Sequence, residues 1–449
     1  MPTSFPRLRR FIHLLCASSA LGLGSGALAQ NAKPLAGTQI NVVLRSLPET
    51  DNITPRIPQF EENTGIKVQV ISFPENQLRD KLVQDLSTGA GQYQVIALDS
   101  MAVPEFVEAK WIVPFEGVDK EAEQKYDLQD IDPAARGLLS YKDKLYALPI
   151  YAEISHLMYR KDLFEQAGVK PPTTFDEFAA VAKQFTDKGA GKYGVAMRGL
   201  RGFGMNMSTF VTFFRGLGGQ FLDETNHPIF NNDAGVKALQ FYSDLLRNYG
   251  PPGEANFSWD DVQNAFTSGK VAMIIDADNF YTRIEDPKKS TIVGKIGYAN
   301  VPAGPHGAFC NSYALGFAVS AVGAKSDKQK QAAAEFILWA TSYDMQLASV
   351  DAGVVSQTRD KVLNSDKYKE KANPQWLKSV GESWKLANPN YFPKTVAWRS
   401  VGDIVSVGVQ EAIAGTKTPK AALDQAAAEV TEYLKQTRLL GTPRSYTEP

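Results

Sequence analysis

The chain has 449 residues, with 48 basic side chains against 49 acidic ones, and two cysteines. This near balance removes any electrostatic case for nucleic acid or an anionic membrane surface, and so few cysteines exclude a disulfide-stapled scaffold. A chain this long buries enough apolar surface to stand on its core and fits two or three domains.

Residues 1–29 read as a cleavable export signal. Arg7, Arg9 and Arg10 precede an apolar and small-residue run from Phe11 to Leu28, and Ala27-Leu28-Ala29 before Gln30 supplies the small-x-small cleavage pattern. Gly22, Gly24 and Gly26 interrupt the run, so a spanning anchor is not expected. The segment holds three basic residues and no acids, which leaves the exported chain slightly acidic. Only Cys310 remains in it, so no disulfide forms within that chain.

Alternating elements follow. Ile40–Leu44 predicts a strand, Pro55 to Asn63 a helix ended by Gly65, and Ile66, Val68 and Val70 a second strand. Leu78, Leu82, Val83 and Leu86 mark one helical face closed by Gly89, and Tyr93–Leu98 a third strand. Such a β-α-β-α-β run implies parallel strands with right-handed crossovers. Ligands then sit beyond the carboxyl ends of the strands. The loops there carry Glu49 and Asn52, Glu75, and Asp99 and Ser100. Carboxylates and amides bond hydroxyls in two-pronged fashion; the same residue types also serve as turn and cap residues.

Leu145 to Gly168 joins an apolar, aromatic run containing one acid, Glu153, to a helix signal closed by Gly168. Poor alternation suits a strand covered on both faces. We read it as a passage between two lobes, with Tyr151 and Glu153 facing the gap. Thr174 and Glu177 form a capping-box signature. Tyr193–Met197 is a strand leading into a loop with Arg198, Phe203 and Asn206. Asp233 opens a helix stopped at Gly250, Ser258 caps another through Phe266, and Lys270–Ile275 is a strand delivering Asp276 to its end. Tyr313–Ser320 reads as a strand and Ser326 caps a helix from Asp327 to Thr341. The last third is mainly helical, ending in Pro419 to Arg438.

No catalytic or metal-binding pattern is present: there is no HExxH, CxxC or GxSxG, and His156, His227 and His306 are far apart. No catalytic residue, metal or cofactor is therefore assigned. Aromatics beside polar groups are more informative: Tyr151 by Glu153, Phe203 by Arg198, Trp259 by Asp260, Tyr313 by Asn311. Sugars and polyols offer C–H faces to rings and hydroxyls to polar neighbours, although core packing accounts for any one ring taken alone.

Three stretches carry a family resemblance: Phe266–Asp276 (FTSGKVAMIID), Met158–Gly168 (MYRKDLFEQAG) and the late AGTKTPKAAL ending at Leu423. On these the chain resembles the extracellular solute-binding proteins of family 1, the carbohydrate-binding components of bacterial ABC importers. Glu75–Arg79, Gly91–Tyr93, Met197–Gly199 and Asn248–Gly253 are similar to the branch that binds mannitol and sorbitol, while Phe203 and Tyr313 stand where that branch often has Trp.

The resemblance implies an α/β periplasmic-binding-protein fold of type II-like build, with a ligand cleft between two lobes joined by hinge strands. Lobe 1 is expected at 30–148 plus 277–352, lobe 2 at 149–276 plus 353–440, and a tail at 441–449. Crossings are expected near Ala147–Glu153, Asp276–Tyr298 and Gly353–Gln357. By position on the matching motifs, Asp99, Glu153, Arg198, Asp276 and Tyr313 are the first candidates for ligand contact. Glu49, Asn52, Glu75, Ser100, Tyr151, Phe203, Asn206, Asn279 and Asn311 follow. The implied protein is a periplasmic, monomeric receptor that binds a sugar alcohol or small sugar, performs no chemistry and delivers its ligand to a membrane permease. A same-fold receptor for an oligosaccharide or non-sugar solute, and a secreted glycosidase, are the alternatives.

Overall fold

The computed structural model describes residues 33–202, 204–444 and 446; the expected signal at 1–29 lies outside them. Gln39–Arg45 (β1), Lys67–Phe73 (β2) and Val95–Asp99 (β3) are the parallel strands that the apolar spacing predicts, with Val42 opposite both Val70 and Val95. A small antiparallel pair follows, Ser140–Tyr141 (β4) and Lys144–Leu145 (β5), too short to leave a periodic signal. Ala147–Arg160 (β6) is one strand of 14 residues, buried throughout except at Glu153. Tyr193–Ala196 (β7), Val271–Ala277 (β8), Ile296–Ala299 (β9) and Ser312–Val319 (β10) complete the set.

The large sheet runs β2-β1-β3-β10-β6-β8-β7, with β9 also on β6. Strand β6 belongs to both ends of it. Ala147–Ile154 pairs antiparallel with β10, and Ser155–Arg160 pairs with β8 and β9. The buried side chains divide accordingly. β1, β2, β3, β10 and the first half of β6 pack with the helix Asp327–Ala340 in one core group. Beyond Glu153 the alternation of β6 sorts side chains to two faces. Leu157 and Tyr159 join a second group with the helices Asn206–Gly216, Asp233–Tyr249, Trp398–Ala414 and Pro419–Gln436. Met158 joins a third group with Ile274, Tyr298 and Trp376. Helices cover both faces, which is why β6 shows no polar alternation.

Local signals hold where they rest on backbone chemistry. Reciprocal side-chain caps form at Thr174/Glu177, Ser258/Asp261 and Ser326/Gln329. Gly65 and Gly168 end their helices at φ of 77° and 65°, a conformation costly for residues with a Cβ.

The expected boundary at 277–352 can be set beside the packing of the core groups. Segment 277–352 does not stay with the first core. Phe280, Ile284, Ile292 and Tyr298 pack in the third group, and Val301 and Cys310 in the second; only from Ala314 does the chain enter the first. The chain passes from the second group to the first between Cys310 and Ala314, and β9 pairs with the far half of β6. The helix Tyr343–Asp351 touches both, with Met345 in the first group and Tyr343, Leu347 and Val350 against or within the third. Lys394, next to Tyr391 and Phe392 of the second group, reaches back across. Its Nζ donates to the carbonyls of Gly137 (2.8 Å) and Ser140 (3.2 Å).

Candidate functional site

Antiparallel register makes the floor of the site. Tyr313 of β10 stands opposite Glu153 of β6, so these two and Tyr151 share one face of the sheet. The Tyr151 and Tyr313 rings lie 6.0 Å apart at 43°. Arg45, the last residue of β1, donates from Nη1 to the Tyr313 hydroxyl at 2.9 Å. Asn279 donates from Nδ2 to Glu153 Oε2 at 2.9 Å, and the adjacent Asp278 accepts from the Ile154 amide at 3.0 Å. Burial pushes the Glu153 carboxyl up to about 8; Arg198 opposes the shift and Asp278 adds to it. Burial also raises Asp278 to about 7, and raises Glu49. The floor is a crowd of carboxyls that burial biases towards the neutral form.

Beyond it, Arg198 follows β7 and Asp276 lies at the end of β8. The two strands are parallel neighbours, so both residues reach the same sheet edge. The Arg198 guanidinium pairs with the Asp276 carboxylate through Nε and Nη2, and donates from Nη1 to the Gly204 carbonyl at 2.8 Å. Asp276 also accepts from the Ala277 amide, and its side chain is 1 % exposed. The following residue must be glycine, since a Cβ on Gly199 would lie 2.0 Å from the Glu254 carbonyl oxygen. At the end of β3, Asp99 accepts from the amides of Met101 and Ala102, and its other oxygen lies 3.8 Å from Arg399 Nη1.

These residues line a cavity of about 430 Å³, within the range of roughly 300–1,000 Å³ typical of small-molecule sites. Of the sequence candidates, Glu49, Asp99, Tyr151, Glu153, Arg198, Asn279, Asn311 and Tyr313 are brought together on its wall. Asp276 is not; it lines only a narrow recess behind Arg198, whose charge it offsets. Three others are used elsewhere. Asn52 donates to the Met345 carbonyl, buried Ser100 faces the Ala314 amide, and Asn206 donates to the Ser406 carbonyl, tying two helices together. Each of these side chains is bonded to a backbone group. The Glu75 side chain and Phe203 lie outside what is described.

Sequence reasoning missed Arg45, Arg79, Gln263, Arg283 and Arg399 on the same wall, and passed over Trp259 and Asp260 as site residues. Arg45 carried a usable signal, its place at the end of a parallel strand. Arg283 and Arg399 arrive on helices whose placement only the tertiary fold sets. Among the described residues no group of three His, Cys, Asp or Glu side chains could hold a metal ion. The wall offers carboxyls, amides, phenols and guanidinium groups at close quarters, a set suited to binding many hydroxyls.

Comparison with known proteins agrees with this chemistry. The family model described as bacterial extracellular solute-binding protein matches residues 47–347. A mannitol-binding protein of Pseudomonas aeruginosa is 33 % identical over 289 residues, a stretch spanning 63 % of this chain and 64 % of that protein. An ABC transporter solute-binding protein of Agrobacterium radiobacter, solved in complex with ribitol, superposes with a TM-score of 0.81 at 27 % identity, covering 89 % of this chain and 99 % of that one. One from Agrobacterium vitis with bound D-mannitol gives 0.77 at 29 % identity, with the same coverage.

Proposed function

Because the chain belongs to the bacterial extracellular solute-binding protein family, we propose that it captures a sugar alcohol or small sugar in this cavity and hands it to the permease of an ABC importer. The observation that carries the ligand class is the shared wall of Glu153, Asn279, Asn311, Arg198 and Tyr313. Each group bonds hydroxyls, and none supplies an unpaired charge that would demand a charged ligand. Tyr151 and Tyr313 cover the C–H edges. The mannitol- and ribitol-bound relatives support the same class.

The cavity takes its wall from both ends of the sheet. Glu49, Asp99 and Tyr313 come with the first core, and Asn279, Arg283 and Arg399 with the second and third. Closure of the two parts on ligand is the mechanism we infer, with β6 and the Cys310–Ala314 crossing as hinges. The mature receptor works as a monomer after cleavage behind Ala29, and its members' role is binding rather than catalysis.

Thermal-shift screening of the mature protein against tetritols to hexitols, monosaccharides and disaccharides tests the reading. A ligand at 100 times its Kd adds about 2.7 kcal/mol of stability. No shift with any of them overturns the assignment, and turnover of a glycoside would replace it with hydrolysis.

A further inference from the structure

We propose that Glu254, behind the cavity wall, is the positioning residue that aims Arg198 into the site, pinning its backbone between a buried carboxyl and the hydroxyl of Tyr242. This rests on the reading of the cavity as a polyhydroxyl site, whose wall includes Arg198. Glu254 directly follows Asn248–Gly253, a stretch that supplies no cavity residue.

Strand β7 stops at Ala196, so the Met197 amide leaves the ladder, and Glu254 Oε1 accepts from it at 2.6 Å. The Arg198 carbonyl accepts from the Tyr242 hydroxyl at 2.7 Å. Next, the amides of Gly199 and Leu200 both donate to the Phe257 carbonyl, at 3.1 and 3.0 Å. The turn that carries Glu254 is itself fixed. Gly253 enters it at φ 81°, the Phe257 amide donates to the Glu254 carbonyl at 2.9 Å, and Gln410 Nε2 donates to the Ala255 carbonyl at 2.7 Å. The backbone is thereby held on both sides of Arg198, whose guanidinium reaches Asp276 and the cavity.

The carboxyl suits a neutral support better than an ion-pair partner. Glu254 is 4 % exposed, and its Oε2 has no partner among the described residues. A Cβ on Gly250 would lie 1.5 Å from that oxygen and 2.6 Å from the Leu246 carbonyl oxygen, so the carboxyl fills the space at the C-terminal end of the helix Asp233–Tyr249. Helix C-terminal carbonyls disfavour an anion, and burial holds the Glu254 carboxyl well above the ordinary carboxylate range. Tyr242, the titratable group that faces it, is likewise kept neutral by burial. A neutral carboxyl supplies the acceptor that the Met197 amide needs and strands no charge.

Three variants of the mature protein separate positioning from packing. Glu254→Gln keeps the volume and the acceptor, Glu254→Met keeps the volume alone, and Tyr242→Phe removes only the hydroxyl on the Arg198 carbonyl. The readouts are isothermal titration with D-mannitol and ribitol, and the NMR resonance of the Arg198 Nε–H, which donates to Asp276. Glu254→Gln should match wild type in both. Glu254→Met should weaken alditol binding about tenfold and shift the Nε–H resonance, and Tyr242→Phe should do both to a smaller degree. The proposal falls if Glu254→Gln disturbs the readouts as much as Glu254→Met does. It falls equally if Glu254→Met and Tyr242→Phe lower the melting temperature and leave both readouts alone; a Glu254→Met chain that does not fold leaves that decision to Tyr242→Phe. Wild type binding neither alditol counts against the polyol cargo, while the Nε–H comparison still decides the role of Glu254.

Discussion

Replacing Arg198 with alanine should unfold the protein several degrees earlier even without ligand. Asp276 is 1 % exposed, and its oxygens are held by Arg198 Nε and Nη2 and by the Ala277 amide. Removing the guanidinium leaves a buried carboxylate with one backbone donor. Breaking a buried pair from one side costs about 3–5 kcal/mol, because the stranded charge keeps its desolvation penalty. Unfolding entropy is about 2.1 cal/mol/K per residue, so a folded unit of this size loses roughly 1 °C of Tm per kcal/mol. Calorimetry on the ligand-free mature protein at neutral pH should therefore show Arg198→Ala melting about 3–5 °C below wild type. The double variant Arg198→Ala/Asp276→Ala should recover part of that loss, since no charge is then stranded. A drop below about 1 °C, or a double variant at least as unstable as the sum of the two single ones, would refute the claim that Asp276 serves Arg198 rather than the ligand.

Two further outcomes follow from buried charge. The folded pKa of Glu153, about 8, lies above its ordinary carboxylate value, so its contribution is full at low pH and is lost as pH rises through 8. The Tm advantage of ligand-free wild type over Glu153→Gln should therefore shrink steadily between about pH 5 and pH 8; parallel melting profiles would contradict the burial of that carboxyl. Lys394 shows the opposite sense. Burial lowers its ammonium to about 8, so the folded state gives up this proton more readily than the unfolded chain. Wild type should then gain stability relative to Lys394→Met as pH climbs from about 8 towards 10. A constant gap would mean that Lys394 is solvated rather than lodged against the Gly137 and Ser140 carbonyls.

The sequence by itself determined what short-range physics controls. Apolar spacing placed β1 to β3 and their parallel order, side-chain caps placed the starts of three helices, and Gly65 and Gly168 placed helix ends. Glu153 and Tyr151 were legible at the cavity because a lone acid in a buried aromatic strand requires a special partner. Tertiary structure alone decided the rest. Whether Val301 and Cys310 pack with the near or far half of the sheet depends on which part of β6 accepts β9, a pairing across more than a hundred residues. Asp276 and Arg198 looked like two ligand contacts, yet the parallel pairing of β7 with β8 brings them together, and a buried guanidinium takes the nearest carboxylate first. Arg283, Arg399 and Trp259 stand on helix surfaces whose periodicity marks them only as polar-side positions. Their helices reach the cavity through core contacts on the opposite face, and so no local pattern names them.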